Sequence, residues 1–156
     1  MSQLESLNPT ALPAEDEALR TDVRSFLAQA LTGVPAHIRA RAWSGYDPAF
    51  SRELGRRGWL GITLPREYGG GGRSAYARYV LVEEFLNVGA PVGSHWIADR
   101  QSAPLILKFG TEAQKQRYLP GMALGDHHGA LCLTEPHAGS DLGLCRTKAV
   151  PQPDGS

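Results

Sequence analysis

Apolar side chains recur at intervals of three or four residues through most of the chain, which is the spacing of amphipathic helices. The repeat is clearest over residues 14–31, where three acidic residues in the first turn suit the helix dipole. Asp47 followed by Pro48 is typical of an N-cap and a first helical position, and Gly58 is suited to a position just past a helix end. The pattern therefore predicts a long first helix and a short second helix that begins at Pro48.

A third helix is predicted to begin after Ser74, which is a good N-cap residue, and to run to about Asn87. Its apolar face is wide, which indicates burial on more than one side. Residues 95–109 also have helical periodicity. Proline disfavours helical geometry at the preceding residue, so Pro104 predicts that this stretch is divided into two pieces near Ala103.

Thr111 and Gln114 have the spacing of a capping box, and they predict the start of one more helix. Pro120 predicts that this helix ends at residues 119–120. Residues 59–64 are apolar but are followed by Pro65, so we interpret them as a structured loop. The four glycines at 69–72 lack the Gly-Lys-Ser/Thr ending of a phosphate-binding loop and predict a flexible turn instead.

The pattern changes at Gly129. Residues 130–134 form a short apolar run of strand length, residues 145–150 form a second strand candidate, and Asp154-Gly155 is a hairpin-turn signal. The predicted fold is mostly α, with a helical bundle followed by the first strands of an incomplete β domain. We place the helical domain at residues 1–128 and the start of the β domain at residues 129–156.

Charge and composition exclude several classes of function. The 16 basic residues balance 16 acidic residues, which disfavours binding to nucleic acid or to an anionic membrane surface. Residues 1–9 have no secretory-signal character, and no later run approaches the roughly 20 apolar residues of a membrane span. The two cysteines, Cys132 and Cys145, do not have the spacing of a metal site or a disulfide framework. We therefore expect a cytoplasmic protein.

Residues 131–141 have the most informative chemistry. The predicted strand leads to Thr134, and a turn with proline and glycine then presents backbone N–H groups next to a serine hydroxyl. Such a turn can approach a flat ring or a pyrophosphate, because Gly139 has no side chain in the way and exposed N–H groups are donors. A cofactor-contacting loop is one interpretation, and an ordinary polar surface loop is the other.

This segment does not stand alone. Thr-Glu-Pro at 134–136 and Ala-Gly-Ser-Asp at 138–141 resemble the first signature of the acyl-CoA dehydrogenase family. The stretches at 58–70 and 109–120, and Gly-Asp at 125–126, are also similar to that family in order and spacing. The resemblance extends from about residue 18 to residue 148.

The resemblance implies a helical domain, a middle β domain and a second helical domain, with FAD between them. It assigns FAD contacts to Leu131, Leu133, Thr134, Gly139 and Ser140. Thr134 is expected at the flavin pyrimidine, and Ser140 near the pyrophosphate and the thioester substrate. No residue of this chain matches the catalytic carboxylate of the family, and no residue is assigned to a metal.

The implied reaction is the α,β-dehydrogenation of an acyl-CoA thioester, with an electron-transfer flavoprotein or another acceptor as redox partner and a homo- or hetero-oligomer as the complete assembly. Two alternatives remain open at this point: a non-catalytic fragment or partner subunit, and a flavin monooxygenase of the same fold.

Two weaker signals concern individual side chains. Glu135 is a conceivable catalytic base, but the resemblance implies a structural role for it. His95 and Asp99 are four residues apart beside Trp96 and Arg100, which indicates a surface ion pair next to a buried tryptophan. The alternative, which the resemblance implies, is that these four residues border the acyl pocket, where unsatisfied polar groups would disfavour a plain long fatty chain.

Overall fold

The computed structural model describes residues 11–153, and it is almost entirely helical. Within that range eight α-helices follow one another, and a π-helical turn, Ala98–Ser102, lies between the sixth and the seventh. The helices are α1 Ala14–Glu17, α2 Leu19–Ala30, α3 Ala36–Arg39, α4 Pro48–Arg56, α5 Ala75–Asn87, α6 Gly93–Ile97, α7 Ala103–Phe109 and α8 Glu112–Leu124. The mostly α prediction is confirmed, and none of the described helices is long and apolar enough to cross a bilayer.

The predicted first helix is divided at Ala18 into α1 and α2. Three later predicted helix starts, those of α4, α5 and α8, are confirmed by N-cap hydrogen bonds. The Asp47 carboxylate accepts the Phe50 N–H at 2.9 Å, and the Ser74 hydroxyl oxygen accepts the Ala77 N–H at 3.0 Å. Thr111 and Gln114 form the full capping box. These side chains satisfy N–H groups that the helix itself leaves without partners.

The larger core lies between α2, α4 and α5. The ring of Phe50 lies 5.8 Å from that of Phe26 and 6.5 Å from that of Phe85, so one side chain from α4 contacts both other helices. Trp59, in the loop after α4, closes the cluster with its ring 5.4 Å from Phe26. The apolar loop at 59–64 is therefore part of the core, as the sequence predicts for a structured loop.

An ion-pair cluster joins the outer edges of two of these helices, α2 and α5. The Glu84 side chain on α5 is only 2% exposed, and it accepts hydrogen bonds from Arg20 and Arg24 on α2. A carboxylate at this depth is tolerated because both of its oxygens have cationic partners. The pair of arginines thus fixes the register of α2 against α5.

A smaller core joins α7, α8 and the π-helical turn, and it corrects one prediction. Helix α8 does not end at Pro120 but continues to Leu124. Leu119 and Met122, on both sides of the proline, are buried in this core. Their burial offsets the cost of about 3 kcal/mol for an interior proline. Gly125, with φ 78°, ends the helix instead.

The glycine run at 69–72 forms a turn, but it is packed rather than free. The N–H groups of Gly71 and Gly72 donate to the carbonyls of Gly61 and Leu64 at 3.1 and 2.8 Å. A Cβ added at Gly70 would lie 2.2 Å from the Leu64 carbonyl oxygen. The glycines are there to let two backbone segments touch, so the prediction of flexibility is wrong.

The two predicted strands do not form within the described residues. Residues 130–134 and 145–150 have no regular secondary structure, and the structure shows only an isolated bridge between Glu135 and Ala138. A strand requires a hydrogen-bonded neighbour. Here the two segments are joined by side-chain contacts, those of Glu135 with Arg146 and Thr147 and that of Cys145 Sγ with the Leu133 carbonyl at 3.7 Å, and not by a backbone ladder. The strand predictions are therefore wrong, and the predicted hairpin turn at Asp154-Gly155 lies outside the described residues.

Candidate functional site

The candidate site is the turn at residues 135–141, between segments 130–134 and 145–150. The Glu135 N–H donates to the Ala138 carbonyl at 2.9 Å, and the Ala138 N–H donates back to the Glu135 carbonyl at 3.1 Å. Ala138 is 2% exposed, which makes it the one buried residue between 129 and 153. The reciprocal bonds and this small buried side chain give the turn its shape.

The Glu135 carboxylate holds the start of segment 145–150. Its two oxygens accept the backbone N–H groups of Arg146 and Thr147, each at 2.9 Å, and also the Thr147 hydroxyl. His137 Nε2 lies 3.2 Å from the same carboxylate. The Thr147 hydroxyl, followed by these two N–H groups, lowers the pKa of Glu135 below its ordinary value. A carboxylate with this many donors is a poor base, which supports the structural role and not the catalytic one.

The five residues assigned to FAD all lie on this one loop, and all are exposed: Leu131, Leu133, Thr134, Gly139 and Ser140. A Cβ added at Gly139 would meet no atom within 4 Å. A flat group can therefore approach the backbone there without displacing protein.

The loop also presents donors that have no acceptor among residues 11–153. These are the backbone N–H groups of Leu133, Thr134, Gly139 and Ser140, and the hydroxyls of Thr134 and Ser140. An acceptor-rich cofactor, with ring carbonyls and phosphate oxygens, fits such a row of donors. The residues present are thus chemically suited to a flavin dinucleotide.

Sequence reasoning missed how the end of the loop is shaped. The Asp141 carboxylate accepts the Gly143 N–H at 3.1 Å and starts a short 3₁₀ turn, Leu142–Leu144. An aspartate two residues before a glycine is a signal for such an Asx turn. The turn directs the chain back so that Arg146 and Thr147 reach Glu135.

A second set of polar side chains lies inside the helical body, and its contacts contradict the predicted surface ion pair between His95 and Asp99. His95 is 4% exposed, and its Nδ1 lies 2.9 Å from the Ser51 hydroxyl, which in turn lies 2.7 Å from the Ser94 hydroxyl. Burial, with a smaller contribution from His128, lowers the pKa of His95 to about 4. His95 is therefore a neutral core residue. Ser51 is its partner, and no sequence spacing pointed to that contact.

Asp99 also has a hydrogen-bond partner other than His95. Its carboxylate accepts the Gly61 N–H at 2.7 Å, and burial raises its pKa. Both polar side chains thus have partners, which removes the argument that unsatisfied groups here disfavour a long fatty chain. Trp96 is only partly buried, with the Trp43 ring at 4.3 Å and the Arg100 guanidinium at 4.3 Å from its ring centre.

Comparison with known proteins identifies the family. The sequence model described as "Acyl-CoA dehydrogenase, N-terminal domain" matches residues 13–126, most of the chain and nearly the whole helical body. The chain belongs to the acyl-CoA dehydrogenase family. The predicted resemblance is confirmed.

Individual members agree with this. Acyl-CoA dehydrogenase FadE26 of Mycobacterium tuberculosis is 36% identical over 141 residues, covering 87% of this chain and 35% of that protein. The crystal structure of the ChsE4-ChsE5 complex from the same organism is similar with a TM-score of 0.78 and 36% identity, covering 94% of this chain and 37% of the other. An acyl-CoA dehydrogenase complexed with FAD from Bacillus anthracis gives a TM-score of 0.71 at 26% identity, covering 96% of this chain and 25% of the other.

The chain spans about a third or less of the length of the curated relatives it matches. The matched domain ends at residue 126, close to Gly125 where α8 stops. The candidate loop lies beyond that match. Its assignment to FAD therefore depends on the resemblance of residues 134–141 and on the exposed donors.

Proposed function

We propose that this chain supplies the helical wall and the flavin-contacting loop of an FAD-dependent enzyme that oxidises the α,β carbon–carbon bond of an acyl-CoA thioester. Family membership supports the reaction class. The observation that carries the proposal for this chain is the loop at 131–141, held in place by Glu135, with four N–H donors and two hydroxyls that have no acceptor among residues 11–153.

In this proposal each loop residue has a distinct task. Thr134 donates its hydroxyl to a ring carbonyl of the flavin, and Leu131 and Leu133 lie beside the ring through backbone and apolar contact. Gly139 leaves room for close approach, and Ser140 donates to the pyrophosphate and lies beside the thioester. FAD, when bound, accepts hydride from the β-carbon of the substrate.

No residue of this chain matches the carboxylate that removes the α-proton in the family, and Glu135 is unsuited to that task. We therefore assign these residues to cofactor contact and positioning, and none of them to proton abstraction. Electrons would leave the flavin to an electron-transfer flavoprotein or a related acceptor. ChsE4 and ChsE5 form a complex with each other, and we infer that an oligomer, of one or two kinds of subunit, is the working form in the cytoplasm.

A chimera tests the proposal. Residues 13–148 of this chain would replace the matching part of FadE26, and the product would be purified and examined for bound flavin and for acyl-CoA oxidation with an artificial electron acceptor. We expect a yellow protein with dehydrogenase activity. The isolated 156-residue chain is the control, and it should not retain FAD stoichiometrically, because one exposed loop covers too little of a ligand that most sites bury.

A folded chimera that binds no flavin would show that the loop does not contact FAD. A chimera that retains flavin but reacts with none of a series of acyl-CoA thioesters would instead contradict the reaction class. If the isolated chain itself proved yellow and active, a base for proton abstraction would have to lie within these residues.

A further inference from the structure

Outside the loop, the most suggestive surface feature is a groove along α5. It has a volume of about 550 Å³, and its lining consists of Ala75, Arg78, Tyr79, Val82, Glu83, Leu86 and Arg100. The volume lies within the roughly 300–1,000 Å³ that is typical of small-molecule sites. We call it the α5 groove.

The floor of the α5 groove is an apolar stripe. Ala75, Tyr79, Val82 and Leu86 are spaced by four, three and four residues, so they line one face of the helix. At 1.5 Å per residue this stripe is roughly 16 Å long. Tyr79 is 53% exposed and Leu86 41% exposed, so both present apolar surface to the outside. Such a stripe suits an extended aliphatic chain lying parallel to the helix.

The charged side chains at the groove differ in their hydrogen-bond partners. Glu83 accepts from the Tyr79 hydroxyl at 3.2 Å and is paired with Arg20, while Asp99, behind the groove, accepts the Gly61 N–H. Both carboxylates thus have donors. By contrast, the Arg78 and Arg100 side chains make no hydrogen bond or salt bridge with any residue between 11 and 153, although the charge of each acts on the Asp99 carboxylate and opposes the effect of burial on its pKa. Arg100 only stacks on Trp96.

The two arginine side chains also lie close to the same part of the groove. Both line the groove and a small cavity behind it of about 20 Å³, which is bordered by Trp59, Trp96 and Phe85. That inner cavity is large enough for about one water molecule and no more. An anionic head group next to the arginines would therefore stay in the groove, with its apolar chain on the stripe.

We propose that the α5 groove binds an aliphatic carboxylate, with the apolar chain along α5 and the carboxylate held by Arg78 and Arg100. Two guanidinium groups with free donors among the described residues, beside an apolar stripe, are complementary to that chemistry and not to a neutral lipid. The site is separate from the flavin loop and requires no flavin to be tested.

The test compares decanoate with decan-1-ol, which have the same chain and differ in head group. Binding to the 156-residue chain would be measured by calorimetry and by tryptophan fluorescence, since Trp96 lies beside Arg100. We expect decanoate to bind at least about tenfold more tightly, since a hydrogen bond to a charged group contributes about the free energy of a tenfold change in affinity. Arg78→Gln and Arg100→Gln should each remove most of that preference.

Arg117→Gln is the matched control, because Arg117 is likewise an exposed helical arginine stacked on an aromatic ring, that of Tyr118. It should keep the preference. Ala75→Trp, which fills the groove at an exposed position, should weaken the binding of both ligands. If Arg78→Gln unfolds the chain, Arg78→Lys keeps the charge and should keep the preference for decanoate.

Three results would overturn the proposal. Equal affinity for the acid and the alcohol would remove the role of the arginines. Tight decanoate binding that survives both glutamine variants, or Ala75→Trp, would place the ligand elsewhere. The absence of saturable decanoate binding to a folded chain would mean that the groove is not a carboxylate site.

Discussion

The helical body and the loop segment after it are stabilised in different ways. In the body, residues 13–126, three helices begin at side-chain caps, two apolar clusters are buried, and a carboxylate as deep as Glu84 has two cationic partners. In the segment 129–153, Ala138 alone is buried, and one side chain, Glu135, makes most of the contacts that give it shape.

This difference in burial distinguishes residues that stabilise the fold from residues that are candidates for binding. In the body, a side chain packs or satisfies a partner within the chain. In the loop segment, the side chains of Leu131, Leu133 and Thr134 are exposed, yet Thr134 begins the stretch that resembles the family signature and the two leucines come just before it. Residues that the fold does not require are the ones to test for binding, and substitutions in the two regions should therefore differ in kind.

The largest expected difference is between two leucines. Leu54 is 0% exposed and Leu133 is 54% exposed. Leu54→Ala should lower the free energy of unfolding by about 2–5 kcal/mol, because it leaves a cavity in the larger core. Leu133→Ala should change it by less than about 0.5 kcal/mol. Urea unfolding followed by circular dichroism measures both, and similar losses in the two variants would contradict the proposed division.

A second prediction uses pH to examine the body from within. His95 has a folded-state pKa of about 4 against an ordinary 6.5. The unfolded chain therefore binds the proton first, so stability is complete above pH 6.5 and is lost as pH falls toward 4. At about 1.4 kcal/mol per pKa unit, the loss is roughly 3 kcal/mol.

The control for this effect is a histidine outside the core. His95→Gln should remove most of the fall in stability between pH 6.5 and 4, although the variant is less stable throughout. His37, which is exposed on α3, gives the matched change His37→Gln. That variant should retain the fall. A wild-type unfolding curve that is flat over this range would show that His95 is not buried as a neutral group.

Two glycines extend the comparison to the backbone. Gly70→Ala places a Cβ 2.2 Å from the Leu64 carbonyl oxygen, whereas Gly139→Ala meets nothing within 4 Å. We expect Gly70→Ala to lower the free energy of unfolding by about 1–3 kcal/mol, since the packed backbone must shift. Gly139→Ala should be almost neutral for folding. Thermal unfolding of both variants is the measurement, and a large loss at Gly139 would mean that the loop packs closely against other residues.

The sequence predicted most of the body because its signals are local. Asp47, Ser74 and the Thr111–Gln114 pair act within one helical turn, so the starts of α4, α5 and α8 can be identified without knowledge of the fold. Pro120 misled for the opposite reason. Whether a helix continues past a proline depends on what the flanking residues bury, and that is decided by α7 and the π-helical turn.

The candidate site was predictable only in part. The signature at 134–141 located the loop, but the contact of Glu135 with Arg146 and Thr147 spans 11 and 12 residues and needs the Asp141 turn to form. His95 was misplaced on the surface because its partner, Ser51, is on another helix. Contacts between distant segments leave no periodicity in a single sequence, so polar partners inside a core cannot be identified from spacing alone.

The smallest expected effect on folding is at Thr134, and here the comparison bears on function. The Thr134 side chain is exposed and makes no hydrogen bond with residues 11–153, so Thr134→Ala should change the stability of the chain by less than about 0.5 kcal/mol. In the chimera with FadE26 the same change should weaken flavin retention by roughly 1 kcal/mol, about fivefold, because it removes one hydrogen bond at a buried ring edge. Ser140→Ala should be milder, since the backbone N–H of Ser140 keeps part of its contact.

Thr21→Ala, at an exposed position on α2, is the control for both quantities, and it should alter neither the stability of the chain nor flavin retention. Flavin content after dialysis and the rate of flavin reduction by substrate are the measurements. If Thr134→Ala destabilised the isolated chain, the residue would belong to the fold, and if Ser140→Ala were the more damaging change, the loop would meet the cofactor in a different register.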